Sequence, residues 1–408
     1  MMPEYIENLV NGIEHSFNSD PAVSTPRKLY ELEFVKLGRR LYRNEGRVAW
    51  CGVMAPFDLL RAMDVTSCFV EFLGAILATA GVAGPMLQAA ELAGFTGDTC
   101  AYHRAVIGAA MQGLTPEPDF LIGTTCPCTG GLAALENLAE IFKKDLFILN
   151  IPLNDTRDNI RYLADQFKAM LEFITQKTGR MIDGDRLREV VENSNRVGAV
   201  MRQVYDLAKN VPSPITSRDL SSFGIAMPLL FGTEAAITVA EGFRKEFAAR
   251  IGRAQSGVKN EQFRLLWLQN RIMFPNPLEK LLEEEYRAVI VVDEYNSINW
   301  EPIDPADPIT GMARRTMSDP LNGSATRRVE HLRKAAIEYQ VHGAINPCHW
   351  GCRQGTGIRG LISEGLKEIG IPVLNLELDC VDSRNFAEGQ MKTRVEAFIE
   401  MLDSRRSH

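Results

Sequence analysis

The sequence predicts an α/β protein: two parallel-sheet domains with a helical segment between them. Three observations carry this. Short apolar runs alternate with helix-period segments over residues 1–160; the alternation gives way to purely helical periodicity over residues 161–258; and it resumes over residues 259–408. Alternating strands and helices imply parallel strands with helices on both faces of the sheet. A chain of 408 residues is long enough for two or three domains.

The elements follow in order. Residues 1–45 are polar and helix-like, with a charged run at Lys36-Leu37-Gly38-Arg39-Arg40. Arg47 to Val53 is an apolar run ending near a glycine, and Pro56 to Met63 reads as a helix with proline near its start. Cys68 to Leu73, Asp119 to Thr125 and Leu146 to Pro152 read as the next strands, with an amphipathic helix from Gly131 to Lys144 between the last two. Apolar residues then recur at helical spacing in Ile160, Leu163, Phe167, Met170 and Leu171, and again in Val197, Val200, Met201, Val204 and Leu207. In the second domain, Phe263–Leu268, Ala288–Val292, Gly343–Asn346 and Ile371–Glu377 read as strands, and Ser383 to Leu402 as the closing helix. The polar stretch from Asn299 to Asn322 is expected to be a loop or lid.

Composition narrows the function. Hydrophobic residues make up 45% and charged residues 24%, as in ordinary globular enzymes. A net charge of −7 and a pI near 5.6 argue against nucleic acid as the main partner, because phosphate binding needs a basic face. The N-terminus lacks a basic segment followed by an apolar core, and the longest apolar stretch, Phe72 to Leu87, contains glycines and falls short of the ~20 residues of a membrane span. The expectation is a cytoplasmic protein without a membrane partner.

Five of the eight cysteines fall in three short groups. Cys100 opens a helix; Cys126 and Cys128 directly follow a strand in Thr125-Cys126-Pro127-Cys128-Thr129-Gly130-Gly131; Cys348 and Cys352 follow another in Asn346-Pro347-Cys348-His349-Trp350-Gly351-Cys352-Arg353-Gln354. Ligands of open parallel sheets bind beyond the carboxyl ends of strands, and the backbone N–H groups that open the following helix stabilise thiolates there. Thiolates select iron–sulfur clusters, zinc or copper(I). A cluster between two sheets would take one cysteine from each group and leave one of four irons open. Two rivals stand beside it: a structural zinc on Cys-x-Cys plus Cys-x-x-x-Cys, and unrelated buried thiols. Core packing is the reading for Cys51, Cys68 and Cys380, which lie in or beside strand-like runs. Gly355-Thr356-Gly357-Ile358-Arg359-Gly360 spells GxGxxG, but it opens no dinucleotide unit and no Lys-Ser/Thr follows. These glycines are expected to let backbone approach the cluster or substrate.

Several segments together resemble the 2-hydroxyacyl-CoA dehydratase and ATP-dependent benzoyl-CoA reductase subunits. They are the Trp50-to-Pro56 strand and turn with its Asp58-Leu59-Leu60 helix, the Cys100-Ala101-Tyr102 segment, Pro118-Asp119-Phe120-Leu121 leading to Cys128, His349-Trp350-Gly351-Cys352-Arg353-Gln354, and the closing helix from Asp382-Ser383-Arg384 to Thr393-Arg394-Val395. The resemblance implies two flavodoxin-like domains and a helical segment. It also implies one [4Fe–4S] cluster on Cys100, Cys128 and Cys352, with Cys126 and Cys348 as alternates. The implied partners are a second subunit of similar fold, a separate ATP-dependent iron–sulfur activator protein and an acyl-CoA substrate. The implied reaction is the reductive elimination of water from a 2-hydroxyacyl-CoA through a ketyl radical, or else reduction of an aromatic acyl-CoA. Outside that family stands a non-catalytic iron–sulfur or zinc scaffold. Where some dehydratase subunits carry a substrate-contacting serine in the first strand-turn, this chain has Val53. His349 and Trp350 are candidate donors to sulfur, and His103 and Arg104 either face substrate or activator or lie on a solvated helix face.

Overall fold

Runs of Val, Ile, Leu and aromatic residues too short for stable helices build the strands. A computed structural model describes residues 2–19, 24–221, 223–297 and 300–406. Strands β1 (Arg47–Cys51), β2 (Val65–Phe69), β3 (Phe120–Thr124) and β4 (Leu146–Leu149) form one parallel sheet in the order β2-β1-β3-β4. Strands β5 (Phe263–Trp267), β6 (Ala288–Asp293), β7 (Gly343–Asn346) and β8 (Val373–Asn375) form a second in the same order, β6-β5-β7-β8. Every residue of β2, β3, β5, β6 and β7 is buried, as expected of parallel strands covered on both faces. Trp50 on β1 and Trp267 on β5 are among the largest fully buried side chains, so the leading strand of each sheet anchors its core with an indole.

Three long helices join the sheets: Arg157–Thr178, Gly184–Ala208 and Glu234–Gly252. Thr156, Asp183 and Thr233 cap their N-termini through side-chain oxygens. The polar N-terminal stretch is also helical, over Met2–Ser19 and Pro26–Tyr42. The expected α/β architecture is therefore present, two parallel sheets with a helical connection. Among the described residues, no helix is long and apolar enough to cross a membrane.

Three expectations need correction. The apolar run Cys68–Leu73 is the junction of two elements, because β2 ends at Phe69 and a helix runs from Val70 to Thr79 with no turn between them. A continuous apolar run cannot reveal where its period changes. The polar stretch expected to be a loop or lid holds a helix at Pro308–Ser318, with Asp307 accepting from the Thr310 amide and proline at the first helical position. Its first residue, Asn299, lies outside the described residues. Finally, Cys380 does not flank a strand: it is buried in the loop well past the end of β8.

Candidate functional site

Each sheet reverses its direction of growth at its middle, between β1 and β3 and between β5 and β7. Loops leaving strands at such a point form the crevice that takes ligands in open α/β folds. Cys126 and Cys128 lie in the loop after β3, and Cys348 and Cys352 in the loop after its counterpart β7.

Cys100, Cys128 and Cys352 share one local geometry. Each is half-buried and is the N-cap residue of a helix, respectively Ala101–Met111, Thr129–Phe142 and the single turn Arg353–Thr356. None of the three sulfurs accepts a capping hydrogen bond, but nearby backbone amides favour the thiolate at each: those of His103 and Tyr102 at Cys100, Gly131 and Gly130 at Cys128, and Gly355 at Cys352. Burial nevertheless pushes all three thiols up, Cys352 to about 11. The neighbouring sulfur adds to this, since a charge on Cys352 raises Cys100 and one on Cys128 raises Cys352. Cys352 thus lies within electrostatic reach of both Cys100 and Cys128, and the thiols resist ionising together. That donor set fits a cationic, thiophilic centre, whose charge offsets thiolate repulsion.

The neighbouring cysteines turn elsewhere. Cys126 Sγ lies 3.5 Å from Asn322 Oδ1 and 3.9 Å from the Leu321 carbonyl, and burial lifts it to about 12. Cys348 Sγ donates to Asn375 Oδ1 at 3.4 Å. Among the described residues, no three His, Cys, Asp or Glu side chains could jointly hold one metal ion. A tetrahedral zinc needs sulfur ligands all within about 2.3 Å of one ion. A four-iron cluster attaches each thiolate to a different iron, so its ligating sulfurs stand farther apart than those around a single ion.

Side chains of the second half complete the crevice. His349 is fully buried, with Nδ1 accepting from the Cys380 amide at 3.0 Å and Nε2 lying 3.4 Å from Cys100 Sγ. Its ring packs edge-on against Tyr102, whose hydroxyl donates to the Arg271 carbonyl. Burial holds the His349 imidazole down at about 3, with His103 and Arg104 adding to the effect. Asn270 Nδ2 approaches Cys352 Sγ at 3.8 Å. Gly351 has a φ of +74°, and a Cβ there would stand 2.5 Å from the Cys100 amide nitrogen, so the two halves touch backbone to backbone. Trp350, the other candidate sulfur donor, is 42% exposed. Arg104 is buried against Glu91 at 2.6 Å rather than on a solvated helix face.

Two further residues were not singled out from the sequence. Glu71 Oε1 accepts from His103 Nε2 at 2.9 Å, while Oε2 is buried without a partner. Its charge is felt at both Cys100 and Cys128, so it lies within electrostatic reach of each. The signal was one acidic residue inside the apolar run Phe69-Val70-Glu71-Phe72-Leu73. Gln269, just past the end of β5, is buried with neither amide atom partnered, and a Cβ on Gly355 would fall 1.7 Å from its Oε1. A buried, unpartnered amide is costly and marks a position where a ligand can complete its bonding.

Fold and crevice define the class: a two-domain α/β protein with thiols gathered where its two like-ordered sheets meet. The chain belongs to the family described as 2-hydroxyglutaryl-CoA dehydratase, D-component, which it matches over residues 52–402. It is similar to the (R)-phenyllactyl-CoA dehydratase alpha subunit of Clostridium sporogenes, 24% identical over 87% of this chain and 89% of that protein. It is also similar to a subunit of the benzoyl-CoA reductase of Thauera aromatica, 28% identical over 79% of this chain and 81% of that protein. A third relative is the lactoyl-CoA dehydratase alpha subunit of Anaerotignum propionicum, 23% identical over 88% and 91%.

Proposed function

We propose that the chain is the iron–sulfur subunit of a 2-hydroxyacyl-CoA dehydratase, with Cys100, Cys128 and Cys352 holding one [4Fe–4S] cluster. The observation that carries the reading is the shared placement of these three thiols: each is the residue at the N-cap position of a helix beside the crevice, while Cys126 and Cys348 bond to Asn322 and Asn375. When bound, such a cluster supplies a low-potential electron and one open iron position. The chain's own residues do the rest. The helix N–H groups and the Asn270 and His349 donors stabilise sulfur charge. The close approach of Gly351 to the backbone of Thr99 and Cys100 holds the two halves together beside the thiols. Glu71 Oε2 is the carboxylate oxygen free to take the proton that the acyl chain loses after hydroxide has left and pass it to that released hydroxide as water, with His103 holding the other oxygen. A cytoplasmic heterodimer with a second subunit of similar fold, fed by a separate ATP-dependent activator, is the working assembly in this reading. Similarity to a benzoyl-CoA reductase subunit favours a second reading, reduction of an aromatic acyl-CoA.

Anaerobic purification with iron, sulfide and zinc analysis tests the first claim. About four iron and four sulfide per chain are expected, and one zinc without sulfide would sink it. Cys100→Ser, Cys128→Ser and Cys352→Ser are each expected to lose the cluster, whereas Cys126→Ser and Cys348→Ser retain it. The reverse pattern would move the ligands to the alternates. Product analysis with a 2-hydroxyacyl-CoA and with an aromatic acyl-CoA separates water loss from ring reduction.

A further inference from the structure

We propose that His349 acts across the domain interface as a tautomer-locked N–H donor to the Cys100 sulfur, and that it sets the cluster's potential rather than helping to hold it. The inference rests on the cluster reading above and adds a positioning residue to it. Three observations carry it. The Cys380 amide donates to His349 Nδ1 at 3.0 Å, so Nδ1 is the acceptor nitrogen and the proton of the neutral ring sits on Nε2. Nε2 is the atom that faces Cys100 Sγ, at 3.4 Å, within the reach of an N–H···S bond. The ring cannot turn away: it is fully buried, packed edge-on against Tyr102, with Asp379 Oδ1 3.6 Å from Nδ1.

A donor to a ligating sulfur stabilises the more negative, reduced cluster and so raises its potential. Here the donor belongs to the second half and the sulfur to the first. Gly351, two residues along, lies against the backbone of Thr99 and Cys100. The hydrogen bond therefore forms only when the two halves are docked, which ties the potential to their closure. Cys352 receives its side-chain donor, Asn270, from its own half. The same half thus supplies donors to sulfurs on both sides of the crevice.

The test uses the full chain, purified anaerobically with its cluster. His349→Phe keeps a ring and removes the N–H; His349→Gln keeps an amide N–H at similar reach. The Phe variant is expected to retain its iron and show a midpoint potential shifted to more negative values, with the Gln variant returning toward wild type. A Phe variant with full iron and an unshifted potential overturns the proposal, as does an equal shift in both variants, which would mean packing alone. A wild-type measurement guards against misfolding of the variants. With histidine labelled by heavy nitrogen, the paramagnetic reduced cluster is expected to show a weak imidazole-nitrogen coupling, and its absence also overturns the proposal. If the wild-type protein carries no iron or sulfide, the cluster reading itself has failed, an outcome separate from a loaded cluster indifferent to His349.

Discussion

The two α/β halves share a strand order, a buried tryptophan on the leading strand and a cysteine-bearing loop after the third strand, yet they equip their crevice faces differently. The first half brings two of the three crevice thiols and an acid–imidazole pair, Cys100, Cys128 and Glu71 with His103. The second brings one thiol, Cys352, and neutral donors aimed at sulfur, Asn270 and His349. It also buries charge in closed pairs: Arg328 grips Glu294 at 2.6 and 3.0 Å, and Arg271 holds Asp293 at 2.8 Å. Arg328 also donates to the Gln354 carbonyl, and Gln354 Nε2 to the Leu321 carbonyl, the group that Cys126 approaches. One topology used twice thus carries the acid–imidazole pair on one half and the neutral sulfur donors on the other, with thiols on both. Buried ion pairs of this kind lend specificity of placement more than net stability.

The largest expected effect breaks the first half's share. Glu71→Gln keeps shape and the His103 contact but removes the free carboxylate oxygen. Turnover is expected to fall about 10²–10³-fold with iron content and melting temperature unchanged. Unaltered turnover would remove Glu71 from the proton path, and loss of iron would make its role structural. Next comes the seam between the halves. Gly351→Ala places a Cβ against Thr99 and Cys100 in a left-handed conformation, and the clash and backbone strain together are expected to cost about 2–4 kcal/mol. Denaturant melts would read that cost. The same change at Gly360, where a Cβ meets open space, is expected to be nearly silent.

How much of this was legible in the sequence depended on distance along the chain. Strands announced themselves as apolar runs, and the three cysteine groups stood out because helix starts and strand ends are local signals; the choice of Cys100, Cys128 and Cys352 within them came from the family resemblance. What the local pattern could not separate was a thiol facing the crevice from its neighbour facing away. Cys126 and Cys348 sit in the same loops, and only the contacts with Asn322 and Asn375, from distant segments, show where they point. Cys380 shows a related limit. Buried as expected of a core thiol, it offers its backbone amide to His349, a role that no side-chain pattern encodes. Glu71 was hidden by its apolar surroundings, although an acid in such a run is itself the clue, because burial demands a partner or a purpose.

A last contrast between the halves lies in buried acids. Asp319 and Asp379 of the second half are pushed up by burial, to about 7 and about 6 from an ordinary value of 3.8. A carboxyl whose folded value is raised is held more comfortably in its protonated form. Its stability penalty is absent below about pH 4, grows as pH rises toward 7 and is complete above that. Asp319 is 4% exposed and its Oδ1 accepts from the Leu321 amide, a bond an asparagine oxygen can keep. Asp319→Asn is therefore expected to stabilise the protein at pH 8 by about 1–2 kcal/mol, and to give little or no gain at pH 4. Thermal melts of both proteins across that range would show the curves converging as pH falls. A gain independent of pH would mean that the side chain's packing, not its charge, is what the second half tolerates there.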